Sequence, residues 1–191
     1  MSATVIDSVV LRDIFSTEAM RRVFSDESRT QKYLDFEAAL ARAEARLDII
    51  PQAATDEIVR RCRVAEIDFT RLASDTARIG YPVLPVVQQL VALCRDGHGE
   101  WCHWGATTQD VTDTATVMQM QEALALVEAD LDAIAGALAA LSRQYRDTPM
   151  AGRSNLQHAV PITFGYKMAT VLAAVDRHSC LLYTSDAADD L

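Results

Sequence analysis

An all-α fold is what this sequence predicts, on three observations. From Val117 onward the apolar residues Met120, Leu124, Val127, Leu131, Ile134, Leu138, Leu141 and Tyr145 step by threes and fours, the spacing of one buried seam on a helix packed nearly parallel to others. Hydrophobic residues make up 50% of the chain and aromatic ones only 6%, so the core must be aliphatic. Glycine (7) and proline (5) are too sparse among 191 residues to interrupt many helices.

Residues 1–15 read as an extended lead-in, after which Ser16-Thr17-Glu18 opens a short helix reaching Phe24. Ser25-Asp26-Glu27 is a second helix start, acidic where the macrodipole favours anions. Its helix carries Tyr33, Phe36, Leu40, Ala43 and Leu47 as the apolar face. Ile50-Pro51 ends it, and Pro51 suits the first position of a helix running to Arg63. Asp68 caps a further short helix that stops at Gly80. Tyr81 to Pro85 is a break, Val86 to Cys94 an apolar helix, and Asp96 to Gly99 a loop. Residues 1–107 thus read as a small domain of short helices.

Residues 108–178 supply the first two long helices of a bundle. The first runs from Thr108 to Tyr145, about 55 Å at ~1.5 Å per residue. After a break at Arg146 to Pro149 and a connecting segment from Met150 to Val160, Pro161 opens the second, which ends at His178. Ile162, Phe164, Met168, Val171, Leu172 and Val175 form its packing face. Residues 179–191 do not continue the pattern and read as a non-native tail. Two antiparallel helices leave much of both apolar faces uncovered, so aggregation or poor order near the C-terminus is expected.

A net charge of −9 argues against sequence-independent nucleic-acid binding, which needs a basic footprint. It leaves room for an anionic substrate, because a site is built from local groups. The four cysteines form no CxxC pair and no disulfide-scaffold spacing. With no secretory leader and no run of ~20 apolar residues to span a membrane, a reduced cytoplasmic setting is expected.

Chemistry-bearing residues gather at two breaks. Before the first long helix stand His103, Thr107, Thr108, Gln109 and Asp110. Unpaired N–H groups of a helix start, with threonine hydroxyls beside them, make a cradle for a carboxylate or phosphate. Gly105-Ala106 lets the backbone approach a ligand. Plain N-capping by Thr107 or Thr108 accounts for the same residues. Before Pro161 stand Gly152, Arg153, Ser154, Asn155, Gln157 and His158, either a solvated loop or a second half of a site. On helix length the two breaks lie ~50 Å apart within one chain, so they share a site only if chains assemble antiparallel.

Other clusters carry less. Cys94, His98, Cys102 and His103 match no usual zinc spacing, so no metal is expected. Adjacent residues such as Cys102 and His103 seldom aim at each other as a nucleophile pair must. Cys62, Cys94, Met118 and Met120 read as core, Trp101 and Trp104 as packing between the small domain and the long helix, and His178 as a solvated residue at a helix end.

The run from His103 to Thr114 (HWGATTQDVTDT) resembles the first signature region of the fumarase/aspartase superfamily, and Gly152 to Gly165 (GRSNLQHAVPITFG) resembles the second. The opening, from Asp13 to Glu44, resembles the branch holding adenylosuccinate lyase and 3-carboxy-cis,cis-muconate cycloisomerase. The resemblance covers residues 10–178 and implies an L-aspartase-like helical bundle, a homotetramer, and active sites that gather loops from three subunits. It implies cofactor-independent addition to, or elimination from, a small polycarboxylate, with charge building up on a carboxylate that preorganised donors must hold. By resemblance Thr107 and Thr108 hold a substrate carboxylate, with Gln109 beside them and His103 lining the pocket, while Arg153, Ser154, Asn155 and Gln157 come from a neighbouring subunit.

Two departures bear on the chemistry. Many members carry a histidine where this chain has Asn155, and asparagine cannot shuttle a proton near neutral pH. The lactonising cycloisomerases also lack that histidine, which favours their branch over adenylosuccinate-type lyases that eliminate fumarate; His158 is the substitute candidate. The family's third region, a mobile loop with the catalytic serine, falls beyond residue 191, so the chain is expected to be a fragment, inactive by itself. A non-catalytic helical oligomerisation module is the rival reading, and it leaves both polar breaks unexplained.

Overall fold

The computed structural model describes residues 4–186, and the end of the expected tail, residues 187–191, lies outside them. In chain order the helices are α1 (Arg12–Phe15), α2 (Glu18–Val23), α3 (Asp26–Arg46), α4 (Gln52–Arg61), α5 (Phe69–Ile79), α6 (Val83–Leu93) and α7 (Thr108–Gln144). A hairpin of β1 (Pro149–Ser154) and β2 (Gln157–Thr163) follows, then α8 (Phe164–Asp186). The fold is all-α apart from that hairpin.

Local chemistry sets the boundaries. The hydroxyls of Thr17 and Ser25 accept from the backbone N–H of Met20 and Ser28 and cap α2 and α3. Asp68 caps α5 through the N–H groups of Thr70 and Arg71, and Gly80 closes that helix at φ 100°, where a side chain is disfavoured. Pro51 is the residue before α4 rather than its first. The lead-in contains α1, with the Arg21 guanidinium tied to the Ser16 carbonyl at 2.8 Å and to Asp13 at 2.7 Å. The break before α6 is shorter than expected, because Pro85 sits in its first turn, where its missing N–H costs nothing.

The chain divides into two compact units, one ending at Glu122 and the other beginning at Ala123. The first reaches past residue 107 because the opening turns of α7 belong to its core. Val111, Ala115 and Gln119 are buried one turn apart, and the Gln119 amide donates to the Val23 carbonyl at 2.7 Å. Leu34, Ile58, Val83, Val86 and Leu90 pack the same core.

The face expected to bury α3 is not the one that does. Tyr33, Leu34, Glu37, Ala38, Ala41 and Glu44 are buried, whereas Phe36 and Leu40 are half-buried and Ala43 and Leu47 are exposed. Two glutamates on the inner face disguised it as the polar side. The outer apolar stripe instead walls an open groove of about 810 Å³, closed on its other side by Trp104, Gly105, Ala106 and Asp110.

The second unit holds no buried apolar side chain among its described residues. Leu124, Leu131, Leu138 and Leu141 are half-buried, while Val127 and Ile134, like Met120 in the first unit, are exposed, so the expected seam is only half covered. Met150 to Val160 is not an open connection, and Pro161 does not begin a helix: it pairs with Ala151 across the hairpin. Backbone carbonyls at the end of α7 fix the return, with the N–H of Phe164 donating to Thr148 and that of Gly165 to Tyr145, both at 2.9 Å. The Tyr145 and Phe164 rings meet edge-on at 5.3 Å. Past the expected stop at His178, α8 continues to Asp186. Among the described residues no helix is long and apolar enough to cross a membrane.

Candidate active site

The first polar break is a short connection held on both sides. At its start, the Glu57 carboxylate accepts from the Arg61 guanidinium at 3.1 Å and from the backbone N–H of Arg95 at 3.2 Å, and it also pairs with Arg60. The hydrogen bond from Arg60, followed by those from Arg61 and Arg95, holds its pKa down at about 2. A Cβ on Gly99 would lie 2.4 Å from the Val91 carbonyl oxygen, so only glycine fits where the turn crosses α6. Trp101 leans on the core and stacks at 5.3 Å, tilted by 51°, against Trp104. Trp104 itself is half exposed and walls the groove.

His103 follows at φ 57°, and its Nδ1 lies 2.6 Å from Glu37 Oε1. The Glu37 side chain is 1% exposed and the His103 ring 21%. Burial pushes the Glu37 pKa up, opposed by the histidine that faces it. The second carboxylate oxygen of Glu37 is buried and has no hydrogen-bond partner. Two turns along α3, burial and the charge of Glu37 push Glu44 up as well.

At the N-terminus of α7 the capping arrangement is the reverse of the simple one. The Asp110 carboxylate reaches back to accept from the Thr107 N–H at 2.9 Å. The hydroxyls of Thr107 and Thr108 make no hydrogen bond among the described residues. Further along the helix the hydroxyls of Thr112 and Thr116 are spent on carbonyls one turn back, and the Gln109 amide on Asp113 at 2.6 Å. One donor of the expected cradle is therefore taken by Asp110 and the Gln109 side chain is turned along the helix. The free threonine hydroxyls and the remaining first-turn N–H groups stay available to an anion.

Cys102, beside His103, is engaged with Cys94. Its hydrogen bond to Cys94 and its burial push its pKa up, while the same bond lowers that of Cys94. Burial lifts Cys62 to about 12. No group of three or more His, Cys, Asp or Glu side chains among the described residues is placed to hold a metal ion.

The second polar break is the hairpin tip. Asn155 at φ 46° and Leu156 at φ 66° form its two-residue turn, whose left-handed backbone favours asparagine at the first position. Arg153 pairs with His158 and Ser154 with Gln157. Cross-strand partners share a face and successive residues alternate, so Arg153 and His158 lie on one face and Ser154 and Gln157 on the other. All four are exposed. The residues of this break thus form two separate pairs and not one cluster. Gly152 is buried, and a Cβ there would lie 2.6 Å from the Val160 carbonyl oxygen.

Comparison with known proteins places this geometry. The family described as lyase matches residues 14–186. The chain belongs to the fumarase/aspartase superfamily. Over 168 residues it is 58% identical to trans-aconitate decarboxylase 1 of Mycosarcoma maydis, covering 88% of this chain and 34% of that protein. It is 44% identical over 167 residues to 3-carboxy-cis,cis-muconate cycloisomerase of Pseudomonas putida, covering 86% of this chain and 40% of that one. Among solved structures, a fumarate lyase from Mesorhizobium sp. BNC1 superposes with a TM-score of 0.85 at 49% identity, over 89% of this chain and 40% of the other. The chain therefore spans well under half the length of these relatives.

Sequence reasoning missed Glu37 and the capping role of Asp110. The signal for Glu37 was present: with Glu44 it falls in register with Leu34 and Ala41 on α3, and two carboxylates within a buried stripe call for partners.

Proposed function

We propose that the N-terminus of α7 is the carboxylate-binding part of a cofactor-independent lyase-type active site, and that the complete protein acts on an unsaturated tricarboxylate. The observation that carries this reading is the pair of free hydroxyls at Thr107 and Thr108, where a 37-residue helix begins, just after the histidine held by Glu37. When an electron pair develops on the carbon next to a carboxylate, its charge spreads to the carboxylate oxygens, and donors fixed in advance stabilise it without reorganising. Lactone formation from a muconate and decarboxylation of an aconitate both create such a charge.

Lactonisation of 3-carboxy-cis,cis-muconate is the first reading, supported by Asn155 in place of a histidine. Decarboxylation of trans-aconitate is the second, supported by the 58% identity to a protein of that name. In either, a neighbouring copy in a homotetramer brings its hairpin to the site. Its Arg153 and His158 face the substrate as anion partner and proton carrier, its Asn155 amide binds beside them, and its Ser154 and Gln157 hold the opposite side. The four free cysteines fit a cytoplasmic protein.

The test is to assay the full-length protein on 3-carboxy-cis,cis-muconate, trans-aconitate and adenylosuccinate. Turnover of either tricarboxylate, reduced by about 100-fold in Thr108→Val, is expected. Turnover of adenylosuccinate alone, or a Thr107→Val/Thr108→Val double variant with unchanged kinetics, would overturn the proposal; the latter outcome favours a module that serves only assembly.

A further inference from the structure

We propose that Glu37 is a positioning residue: it holds the Nδ1–H of the His103 imidazole and turns Nε2 outward, where that nitrogen takes up a proton from solvent as an anionic ligand binds and donates it to the ligand. Nδ1 stands 2.6 Å from Glu37 Oε1, a charge-assisted distance. The glutamate is sealed at 1% exposure, whereas the ring keeps 21%, so the solvent-facing part of the imidazole is the edge away from Glu37. Nε2 makes no hydrogen bond among the described residues. An ionised carboxylate only accepts, so with Glu37 ionised against the upward push of its burial Nδ1 donates to it.

The backbone bears on the placement of the ring. His103 sits at φ 57°, a conformation uncommon outside glycine, which a nearby constraint has to hold. Its ring reaches α3 at Glu37. The free second oxygen of Glu37 is buried, so substitution by glutamine changes the charge and the hydrogen-bond sense with almost no change in volume. That the ligand at Nε2 is a carboxylate rests on the functional reading above; the tautomer and the role of Glu37 do not.

Ring nitrogen chemical shifts of His103, assigned with His103→Gln and recorded with and without tricarballylate as the probe, test both parts. In the wild-type protein Nδ1 is expected to be the protonated, hydrogen-bonded nitrogen, and tricarballylate is expected to move Nε2. In Glu37→Gln the nitrogens should become a mixture of tautomers and tricarballylate affinity should fall about tenfold. Glu37→Asp, which keeps a carboxylate on a shorter arm, should restore part of both. An Nδ1 without a proton in the wild-type spectrum overturns the proposal even if Glu37→Gln fails to fold. So does an unchanged tautomer in a folded Glu37→Gln. A wild-type Nδ1–H bond with no response to tricarballylate supports the role of Glu37 and overturns the carboxylate reading of the site.

Discussion

The two polar breaks look alike in sequence and are held by different physics. The turn before α7 is pinned from beneath. Glu57 grips its first residues, Gly99 presses against α6, Glu37 holds His103, and Val111 and Ala115 root the helix that follows in a closed core. The hairpin after α7 rests on its own backbone ladder, a left-handed turn and a glycine contact, and each of its chemistry-bearing side chains faces outward. The first is preorganised by its own chain. The second is a shaped projection whose counterpart, on our reading, belongs to another copy.

Core truncation should expose this contrast most strongly. Leu34→Ala or Leu90→Ala, at fully buried positions, should cost about 2–5 kcal/mol in urea unfolding of the first unit. Leu138→Ala, half-buried on α7, should cost about 1 kcal/mol or less in the isolated chain. Equal losses would mean that the second unit has a core of its own.

Next in size is Gly165→Ala. A Cβ there would lie 2.5 Å from the Ser142 carbonyl oxygen and 2.6 Å from the Arg146 Cα. Forcing the two helix ends apart should cost about 1–3 kcal/mol. Amide exchange should speed up in the hairpin and α8 while the amides of α3 and α6 stay as protected as before.

A pH titration sharpens the account of the first turn. The Glu57 pKa is depressed to about 2, so its contribution is present above the ordinary value of 4.5 and is lost as pH falls from there through about 2. Glu57→Gln should flatten that acid limb of the stability curve. A limb as steep as before would remove Glu57 as the anchor of the turn.

The smallest effect on stability separates turn-former from ligand at Asn155. Asn155→Gly should leave thermal stability within about 0.5 kcal/mol, because glycine accepts the same backbone. Turnover of the full-length protein should fall about tenfold with the loss of the amide. Unaltered turnover would confine Asn155 to the turn.

Much of the fold was legible because helix starts and long seams announce themselves. Thr17, Ser25 and Asp68 cap where their side chains predicted, and the expected span of the first long helix, Thr108 to Tyr145, matches α7 to within a residue. The misreadings have separate causes. Glu37 made the inner face of α3 look like the outer one, because nothing local shows that His103 will meet it. The hairpin was taken for a loop because Gly152 and Pro161 disguise the strands, although Asn155 is a typical first residue of such a turn. At the site, residue types were legible and grouping was not: only strand register reveals that Arg153 sides with His158 and Ser154 with Gln157.

Subunit complementation tests most directly whether the preorganised turn of one copy works with the hairpin of another. Full-length Thr108→Val and His158→Gln variants, each expected to be nearly inactive, would be unfolded together and refolded as hybrids. Recovery of turnover in the mixture, absent when either variant is refolded alone, is the predicted result. Hybrids that form but stay as inactive as their parents would place both halves of the site in a single chain and contradict the account.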